Sequence, residues 1–164
     1  IGVDPYYLTF KSNMLGHNPK MILAGREINE GMSSFVVDAM KKKLEEYSIP
    51  IEGSNILILG VSFKENCPDL RNSKVKDIYS GLKNLGISVD VFDPCVDKKE
   101  AKKQLKITLL ESIQKNFYDG IMVCVAHTFF QESGVAFIRS FGKKNHVLFD
   151  VKCIFKKSES DLRL

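Results

Sequence analysis

The sequence predicts an α/β fold in which a mostly parallel, Rossmann-like sheet is flanked by helices and preceded by a long helical segment. Two observations support this fold class. From residue 54 onward, short runs of β-branched and other apolar residues alternate with segments of helical periodicity, which is the pattern of successive βαβ units. Before residue 48, apolar residues recur at spacings of three and four, which indicates an amphipathic helix.

Two helix starts are predicted before residue 48. Residues 4–5 are aspartate followed by proline, a typical N-cap and first helical position, and Gly16 is expected to end this helix. Residues 18–19, asparagine and proline, repeat the signal, and the second helix is expected to run to about Tyr47. At about 1.5 Å per residue this helix would reach about 40 Å. It is longer than a compact domain of this size needs, so we expect it to contact a further surface.

The second helix carries one apolar stripe. The stripe consists of Ile28, Met32, Phe35 or Val36, Ala39 or Met40, and Leu44. Periodicity alone leaves open whether the stripe covers its own domain, packs on the first helix, packs on a domain outside this sequence, or packs on a second copy of the chain.

The segment SIPIEGSN, residues 48–55, is rich in residues that interrupt regular structure. It predicts a boundary between a helical segment, 1–48, and an α/β domain, 49–164. Strands are expected at ILILGV, SVDVFDP, KITLL, GIMVCVA and HVLFDVK, and helices at about 74–85, 98–104, 111–116 and 132–141. The pattern leaves the strand order open.

The loop after the first of these strands carries the residues of greatest chemical interest. The strand leads into Gly60, and the loop then contains Phe63, Lys64, Asp69 and Arg71. Loops at the carboxyl ends of parallel strands line the ligand crevice, and the following helix directs its positive end toward it. We therefore expect Lys64 and Arg71 to face a phosphate group. The alternative is two solvated side chains, with Asp69 paired to Arg71.

The turn LGVSFK lacks the dinucleotide fingerprint GxGxxG, because no second glycine stands where the backbone would approach a pyrophosphate. The α/β domain is therefore not expected to bind NAD by the usual glycine-rich turn. Any phosphate would have to be held by side chains. Lys64 supplies a compact charge and Arg71 a bidentate fork.

Composition favours an ordinary globular protein over other classes, with 44% hydrophobic and 27% charged residues. The net charge of +4 comes from scattered lysine clusters without interleaved aromatic residues, so no nucleic-acid binding is expected. No apolar run approaches the roughly 20 residues that span a bilayer, so no membrane association is expected. The first residue is Ile and nothing resembles a signal peptide, which we interpret as a fragment of a cytoplasmic protein.

The four cysteines form no CxxC pair and have no histidine at metal-ligand spacing, so no metal site is expected. Cys124, in the apolar run IMVCVA, is predicted to be buried. Cys67 lies in the loop near Lys64, but no histidine is close to it in sequence, and we do not expect it to be a nucleophile. His127 follows the same strand as Cys124 and is expected on the crevice side, without an assigned role.

The order of residues in two segments allows a more specific interpretation. The segment ILGVSFKENCPDLRNSKV resembles the start of the C-terminal domain of the UDP-glucose/GDP-mannose dehydrogenase family. The segment IGVDPYYL resembles the residues after the catalytic cysteine in that family, particularly in its UDP-N-acetylhexosamine 6-dehydrogenase branch, and GREIN is a further point of similarity. The resemblance implies a C-terminal fragment that begins one residue after the nucleophile and lacks the NAD domain.

The resemblance implies the activity of the parent enzyme. It would oxidise the C6 hydroxyl of a UDP-hexose or UDP-N-acetylhexosamine to a uronate for polysaccharide biosynthesis, such as that of a capsule or O-antigen, with two NAD molecules used in succession. The family cysteine holds the intermediate covalently. The fragment alone is expected to be inactive. Because the central helices of the family form the dimer core, a homodimer through the helix at 19–47 is expected.

The resemblance also assigns roles to individual residues. Phe63 and Lys64 occupy the positions of the Phe-Lys pair that contacts the UDP-sugar, and Arg71 that of the arginine that reaches the cofactor. Asp4 corresponds to the aspartate that assists water and proton handling, although the residue before it is not the lysine that the family often has. Lys152, in FDVKC, falls where relatives carry a basic residue near the sugar nucleotide, and an exposed lysine without a role is the alternative.

A different class of function is a stand-alone nucleotide-binding module, flavodoxin-like or receiver-like, with a helical dimerisation arm and no catalysis. A receiver would need clustered acidic residues at the end of its first strand, and a flavodoxin-like domain a Ser/Thr/Gly-rich phosphate loop there. The segment LGVSFK supplies neither. Binding of UDP or of FMN would separate the two classes.

Overall fold

The computed structural model describes residues 4–164, which form a parallel sheet with helices on both faces. The helices are α1 (Asp4–Met14), α2 (Lys20–Glu46), α3 (Val75–Asn84), α4 (Lys98–Leu105) and α5 (Thr128–Arg139), with a 3-10 turn at Lys157–Glu159. The strands are β1 (Asn55–Leu59), β2 (Ser88–Phe92), β3 (Tyr118–Val123), β4 (Gly142–Asp150) and β5 (Leu162–Arg163). The predicted fold class, a parallel Rossmann-like α/β sheet, is confirmed.

The strand order is β2-β1-β3-β4-β5, and every neighbouring pair of strands is parallel. The chain moves to one side of β1 to form β2 and then crosses to the other side to form β3. This reversal is a topological switch point, where the loops after adjacent strands diverge and leave a crevice. The loop after β1, which carries the predicted functional residues, lies at that crevice.

The side chains of β1 alternate between two apolar clusters. Ile56 and Ile58 belong to the cluster that contains residues of α2 and α3, whereas Leu57 and Leu59 belong to the cluster that contains residues of α5. All four side chains are fully buried. This two-residue period is what an extended strand covered on both faces requires.

The apolar stripe of α2 divides between two environments. Val36, Met40 and Leu44 are buried in the same cluster as the sheet, so the second half of the helix covers its own domain. Ile28 and Phe35 remain 70% and 58% exposed. The second half of the stripe therefore packs on the chain's own sheet, which was one of the alternatives left open by the sequence. Ile28 and Phe35 are not covered in this way.

The end of α1 agrees with the predicted signal, whereas the start of α2 does not, and the predicted cap residue Asp4 is part of α1 itself. Gly16 follows α1 with a φ of +77° and donates its N–H to the Asn13 carbonyl at 3.0 Å, the usual role of glycine after a helix. At α2 the N-cap position is held by Pro19 rather than Asn18, and no side-chain cap hydrogen bond forms. The prediction of Asn18 as the N-cap was therefore wrong, although α2 begins at Lys20, close to the expected position.

The segment 106–116 departs from the prediction. KITLL forms an isolated bridge between Leu109 and Val91 rather than a strand, and residues 111–116 form bends and turns rather than a helix. Ile107 and Leu109 are buried, so the apolar residues pack beside β2 without a ladder. The expected helix, residues 111–116, is too short to be stable without caps. Asn116 also adopts a left-handed φ of 52°, which is incompatible with a right-handed α-helix.

The carboxyl-terminal third contains further differences. α5 begins at Thr128, ahead of the predicted 132, and Gly134 interrupts it with φ 76° and ψ 159°. The 3-10 turn and β5 were not predicted. The division into segments 1–48 and 49–164 stays a prediction. No helix within residues 4–164 combines the length and apolar character needed to cross a bilayer.

Candidate functional site

A cavity of about 260 Å³ lies at the carboxyl edge of the sheet. Its walls come from α2, from the loops after β1, β3 and β4, and from the start of α3. They include Met32, Val36, Phe63, Ser73, Lys74 and Lys152. The cavity therefore lies at the switch point between β1 and β3, where open α/β sheets bind ligands.

The start of α3 forms one wall of this cavity. Ser73, Lys74 and Val75 line it, and the first N–H groups of a helix have no partners within the helix. Ser73 fixes this wall to the loop after β1, since its hydroxyl donates to the carbonyl of Val61 at 2.7 Å. The N–H of Val75 donates to the Ser73 hydroxyl oxygen at 3.3 Å, but the dipole of the helix still directs its positive end to this wall. The wall is therefore suited to a phosphate group.

Two residues predicted from the sequence, Phe63 and Lys152, meet at the cavity although they follow different strands, β1 and β4. Lys152 also lies near Cys124, which is buried as predicted. Burial raises the pKa of the Cys124 thiol to about 12, and the charge of Lys152 opposes this shift only in part. Cys124 thus remains a protonated thiol and provides no nucleophile at neutral pH.

Lys64 and Arg71 lie outside the lining of the cavity. The Lys64 ammonium is 5.7 Å from the centroid of the Phe63 ring. Arg71 pairs with Asp69: its Nη2 donates to Oδ2 at 2.7 Å and its Nε donates to Oδ1 at 3.0 Å. These hydrogen bonds lower the pKa of Asp69 from 3.8 to about 2. The structure contains the Asp69 to Arg71 pair that the sequence analysis named as the alternative, and the binding roles of Lys64 and Arg71 stay predictions.

Asp4 lies exposed in the first turn of α1 and does not line the cavity. α1 packs on α2 through Tyr6, whose hydroxyl donates to Glu30 and whose ring lies 4.6 Å below the Arg26 guanidinium. Glu30 precedes the cavity-lining Ser33 by about one helical turn. The start of α1 therefore packs on α2 about one turn before the part of α2 that lines the cavity. The residues IGV of the predicted family match, 1–3, lie outside the described residues.

A buried hydrogen-bond network beneath the loop 61–66 was not predicted. The side chains of His127 and Asp93 are fully buried, and His127 Nε2 lies 3.1 Å from Asp93 Oδ2 and 3.2 Å from Ser62 Oγ. The backbone N–H of Asn66 donates to His127 Nδ1 at 2.9 Å. His127 is at the carboxyl edge as expected, but it is part of this network rather than of the cavity lining.

Asp93 accepts further hydrogen bonds at the same edge. Its Oδ2 accepts from the backbone N–H groups of Val61 at 2.7 Å and Ser62 at 3.1 Å, and its Oδ1 accepts from that of Cys95 at 2.8 Å. Burial alone would raise the pKa of Asp93, but the hydrogen bonds from His127, Val61 and Cys95 outweigh burial and hold that pKa below its ordinary value. Asp93 is therefore a carboxylate at neutral pH.

Asp93, Cys95 and His127 also form a group of three potential metal ligands within residues 4–164, with ligand atoms within 4.8 Å of one another. The hydrogen bonds described above already use both carboxylate oxygens and the Nδ1 atom of His127. A metal ion would have to displace the backbone N–H groups that now donate to these atoms, and a buried donor that loses its acceptor costs about 1–3 kcal/mol. We interpret the group as a hydrogen-bond network rather than a metal centre.

The turn after β1 does not fit a dinucleotide. In a dinucleotide-binding turn, backbone N–H groups after the first strand hold the pyrophosphate. Here the N–H groups of Val61 and Ser62 donate to Asp93 instead, and Gly60 is the one glycine of the turn. The observed geometry agrees with the missing GxGxxG fingerprint.

Comparison with known proteins identifies the family. The sequence model of the UDP-glucose/GDP-mannose dehydrogenase family, UDP binding domain, matches residues 57–157. This chain belongs to the UDP-glucose/GDP-mannose dehydrogenase family. The matched range contains the loop after β1, α3 and Lys152, and so most of the cavity.

Relatives within the family match the whole chain but extend well beyond it. The UDP-N-acetyl-D-glucosamine 6-dehydrogenases of Pseudomonas aeruginosa and Salmonella typhi are 46% and 44% identical to it over 164 residues, which are 100% of this chain and 39% of each relative. A solved structure of a UDP-N-acetyl-mannosamine dehydrogenase from S. aureus is 26% identical, with a TM-score of 0.71, and the match covers 98% of this chain and 35% of that chain. The predicted family is confirmed, and so is the prediction that the chain corresponds to part of such proteins.

Proposed function

We propose that the chain is the UDP-binding part of an NAD-dependent UDP-sugar 6-dehydrogenase and that the cavity holds the nucleotide diphosphate of the substrate. The observation that carries the proposal is the meeting of the α3 N-terminus, Lys152 and Phe63 in one cavity, within the range matched by the UDP binding domain. The whole protein would oxidise the C6 hydroxyl of a UDP-hexose or UDP-N-acetylhexosamine to a uronate. The names of the relatives favour an N-acetylhexosamine.

The lining of the cavity includes groups suited to both chemical parts of such a ligand. Lys152, Lys74 and the start of α3 contribute positive charge, which suits a diphosphate. Met32, Val36 and Phe63 provide apolar contact for a flat base or a sugar ring. Lys64 is close enough to Phe63 to approach the ligand from the rim.

We assign the NAD-binding residues mainly to a part of the protein outside this chain, because Asp93 already accepts the N–H groups after β1. Arg71 is 81% exposed and lies outside the cavity, which suits contact with a cofactor held by another domain. Asp4 keeps its proposed role in water and proton handling at the reacting carbon. The chain alone is expected to produce no NADH from NAD and a UDP-sugar.

We also propose that α1 and α2 form a homodimer with a second copy of the chain. Large apolar side chains are exposed along both helices: Tyr7, Leu8, Phe10, Met14, Leu15, Met21, Leu23, Ile28 and Phe35. So many exposed large apolar side chains within two helices and the turn between them indicate an interaction site. The family resemblance supports a second copy as the occupant.

Calorimetric titration with UDP, UDP-N-acetylglucosamine and FMN tests the proposed function. The two UDP ligands are expected to bind and FMN is not. The strand order is also that of flavodoxin-like folds, so the ligand rather than the topology distinguishes the two classes. Binding of FMN in place of UDP would support the flavodoxin-like alternative.

The variant Lys152→Met tests the cavity itself. Loss of one charge-assisted hydrogen bond costs about 1.5–3 kcal/mol, so UDP affinity is expected to fall about tenfold to hundredfold. Lys144→Met is the matched control, since Lys144 is exposed near the amino end of β4, away from the cavity. Equal affinities of the two variants would show that UDP binds elsewhere.

A further inference from the structure

The loop 61–66 is held at both ends by one buried pair of side chains. At its start, the N–H groups of Val61 and Ser62 donate to Asp93 Oδ2. At its end, the N–H of Asn66 donates to His127 Nδ1 at 2.9 Å. His127 Nε2 lies 3.1 Å from the same Asp93 oxygen, so the two ends are joined through this pair.

Part of this loop faces the cavity. Ser62 and Phe63 line it, and the Ser62 hydroxyl donates to the carbonyl of Lys64 at 2.8 Å. The N–H of Phe63 donates to the carbonyl of Asp69 at 2.7 Å. The position of the Phe63 ring at the cavity therefore depends on a backbone conformation that Asp93 and His127 fix from beneath.

The hydrogen bonds determine which nitrogen of His127 carries the proton. A backbone N–H can only donate, so Nδ1 must accept from Asn66. In the neutral ring the hydrogen is then on Nε2, which faces the Asp93 carboxylate and the Ser62 oxygen. The Ser62 hydrogen is directed to the Lys64 carbonyl, so its oxygen is free to accept. Every partner is satisfied by the neutral Nε2–H tautomer.

A second proton on His127 would break this arrangement. It would be added to Nδ1 and would face the N–H of Asn66, so two donors would oppose each other. The other groups around the ring are Asp93, which favours the cation, the Cys95 sulfur at 3.5 Å from Nδ1, and the Phe130 ring with its centroid at 5.6 Å. Burial raises the pKa of Cys95, as do the charges of Asp93 and Cys67, so the thiol stays neutral and does not stabilise the added proton.

We propose that His127 and Asp93 are positioning residues for substrate binding, which hold the loop 61–66 so that Phe63 reaches the cavity, and that they do so only while His127 is neutral. The inference rests on the proposed function, because the loop is the one assigned to the UDP-sugar. Acidification is thus expected to weaken binding by releasing Asn66, without any change in the groups that touch the ligand.

UDP-N-acetylglucosamine is the suitable probe, because the terminal phosphate of UDP itself titrates in the same pH range. Its affinity for the 164-residue chain is to be measured by calorimetry from about pH 8 to about pH 5. The wild-type affinity is expected to fall on acidification. A flat profile would contradict the proposal.

Three variants separate positioning from general structural support. In His127→Asn the side-chain oxygen can still accept from Asn66 but cannot be protonated, and the contact of Nε2 with Asp93 is lost. Binding near pH 8 is therefore expected to weaken, by less than in a variant without an acceptor, and the further loss on acidification should vanish. His127→Phe keeps the ring volume without an acceptor, and affinity is expected to fall about tenfold or more at every pH. His146→Asn, at the opposite end of the sheet, makes the same exchange as a control and should retain the wild-type profile.

Nitrogen NMR of the unliganded chain decides the tautomer independently of binding. The expected result is a hydrogen on Nε2 of His127 and none on Nδ1 at neutral pH, with the Asn66 amide resonance shifting as His127 becomes protonated. Three results would overturn the proposal. They are a hydrogen on Nδ1 of His127, an Asn66 amide resonance that does not shift on acidification, and a His127→Asn variant whose affinity still falls on acidification. A wild-type chain that binds no UDP-N-acetylglucosamine at any pH would instead overturn the proposed function, while the NMR result would still stand.

Discussion

Val125 occupies the space that a side chain on Gly60 would need. A Cβ atom on Gly60 would lie 2.5 Å from the Cβ of Val125 and 2.9 Å from its Cγ2. Gly60 also has a φ of +89°, a conformation that glycine adopts readily and other residues do not. Its N–H donates to the carbonyl of Phe92 at 2.8 Å, so glycine at this position allows the ends of three neighbouring strands to approach.

Gly60→Ala is expected to destabilise the chain by about 2–5 kcal/mol, from about 1–2 kcal/mol for the left-handed backbone and about 1–3 kcal/mol for overpacking against Val125. Urea unfolding followed by circular dichroism measures the loss. Gly53→Ala is the matched control, since Gly53 has a φ of +79° but open space around its Cα, and it should show the backbone cost alone. Equal losses for the two variants would mean that the contact with Val125 relaxes freely.

The pair of Asp69 and Arg71 predicts a local titration. Because the folded-state pKa of Asp69, about 2, is below its ordinary value of 3.8, the pair stabilises the fold above the ordinary value, and this contribution is lost as the pH falls through about 2. Carbon NMR of the carboxyl group should show this low midpoint. In Arg71→Gln the midpoint is expected to return toward 3.8, whereas Lys76→Gln, which removes a nearby exposed charge, should leave it low. A midpoint near 3.8 in the wild type would show that the two side chains do not pair in solution.

The four cysteines are expected to differ in reactivity toward iodoacetamide. Cys153 is exposed and Cys124 is buried, with the pKa of its thiol raised by burial to about 12. Since the thiolate is the reactive form, mass spectrometry after brief labelling near pH 8 should find Cys153 modified and Cys124 unmodified. In urea the two should react alike. Comparable labelling of both in the native chain would contradict the burial of Cys124.

The exposed half of the α2 stripe predicts a dimer that one charge can disrupt. Ile28→Glu places a carboxylate on the apolar surface that a second copy would cover, so sedimentation velocity should find the variant monomeric where the wild type is dimeric. Lys42→Glu introduces the same charge on the same helix, at an exposed position in the half that packs on the sheet, and should leave the dimer intact. A wild-type chain that is monomeric at high concentration would contradict this interface.

The bounds of a helix or strand could be predicted to within one or two residues where the segment itself contains the information that determines them. β1 was expected within ILILGV, residues 56–61, and is Asn55–Leu59, and α4 was expected at 98–104 and is Lys98–Leu105. Both depend on information within the segment, namely a continuous apolar run and an aspartate N-cap, Asp97, whose carboxylate accepts from the N–H groups of Lys99 and Glu100. The prediction for residues 106–116 was wrong because the apolar residues of this segment pack beside β2. This contact is distant in sequence, so the local pattern does not indicate it.

The residues of the candidate site likewise include some that the sequence predicted and some that it did not. Phe63 and Lys152 were named from family positions and do line the cavity. The wall formed by Met32 and Val36 was missed, although both belong to the predicted helical stripe, because nothing in that stripe shows which part of it lies beside a ligand. The network of Asp93 and His127 was missed because each residue follows a different strand, and only the strand order places them together.

The walls of the cavity come from residues far apart in sequence, since Met32 of α2 and Leu164 after β5 both line it. During synthesis, β1, β2 and β3 leave the ribosome before Leu164 does, so these three strands can pair while one wall of the cavity is still in the exit tunnel. Contacts so distant in sequence also form slowly. A nascent chain should therefore form the sheet of β1, β2 and β3 before it can recognise a nucleotide.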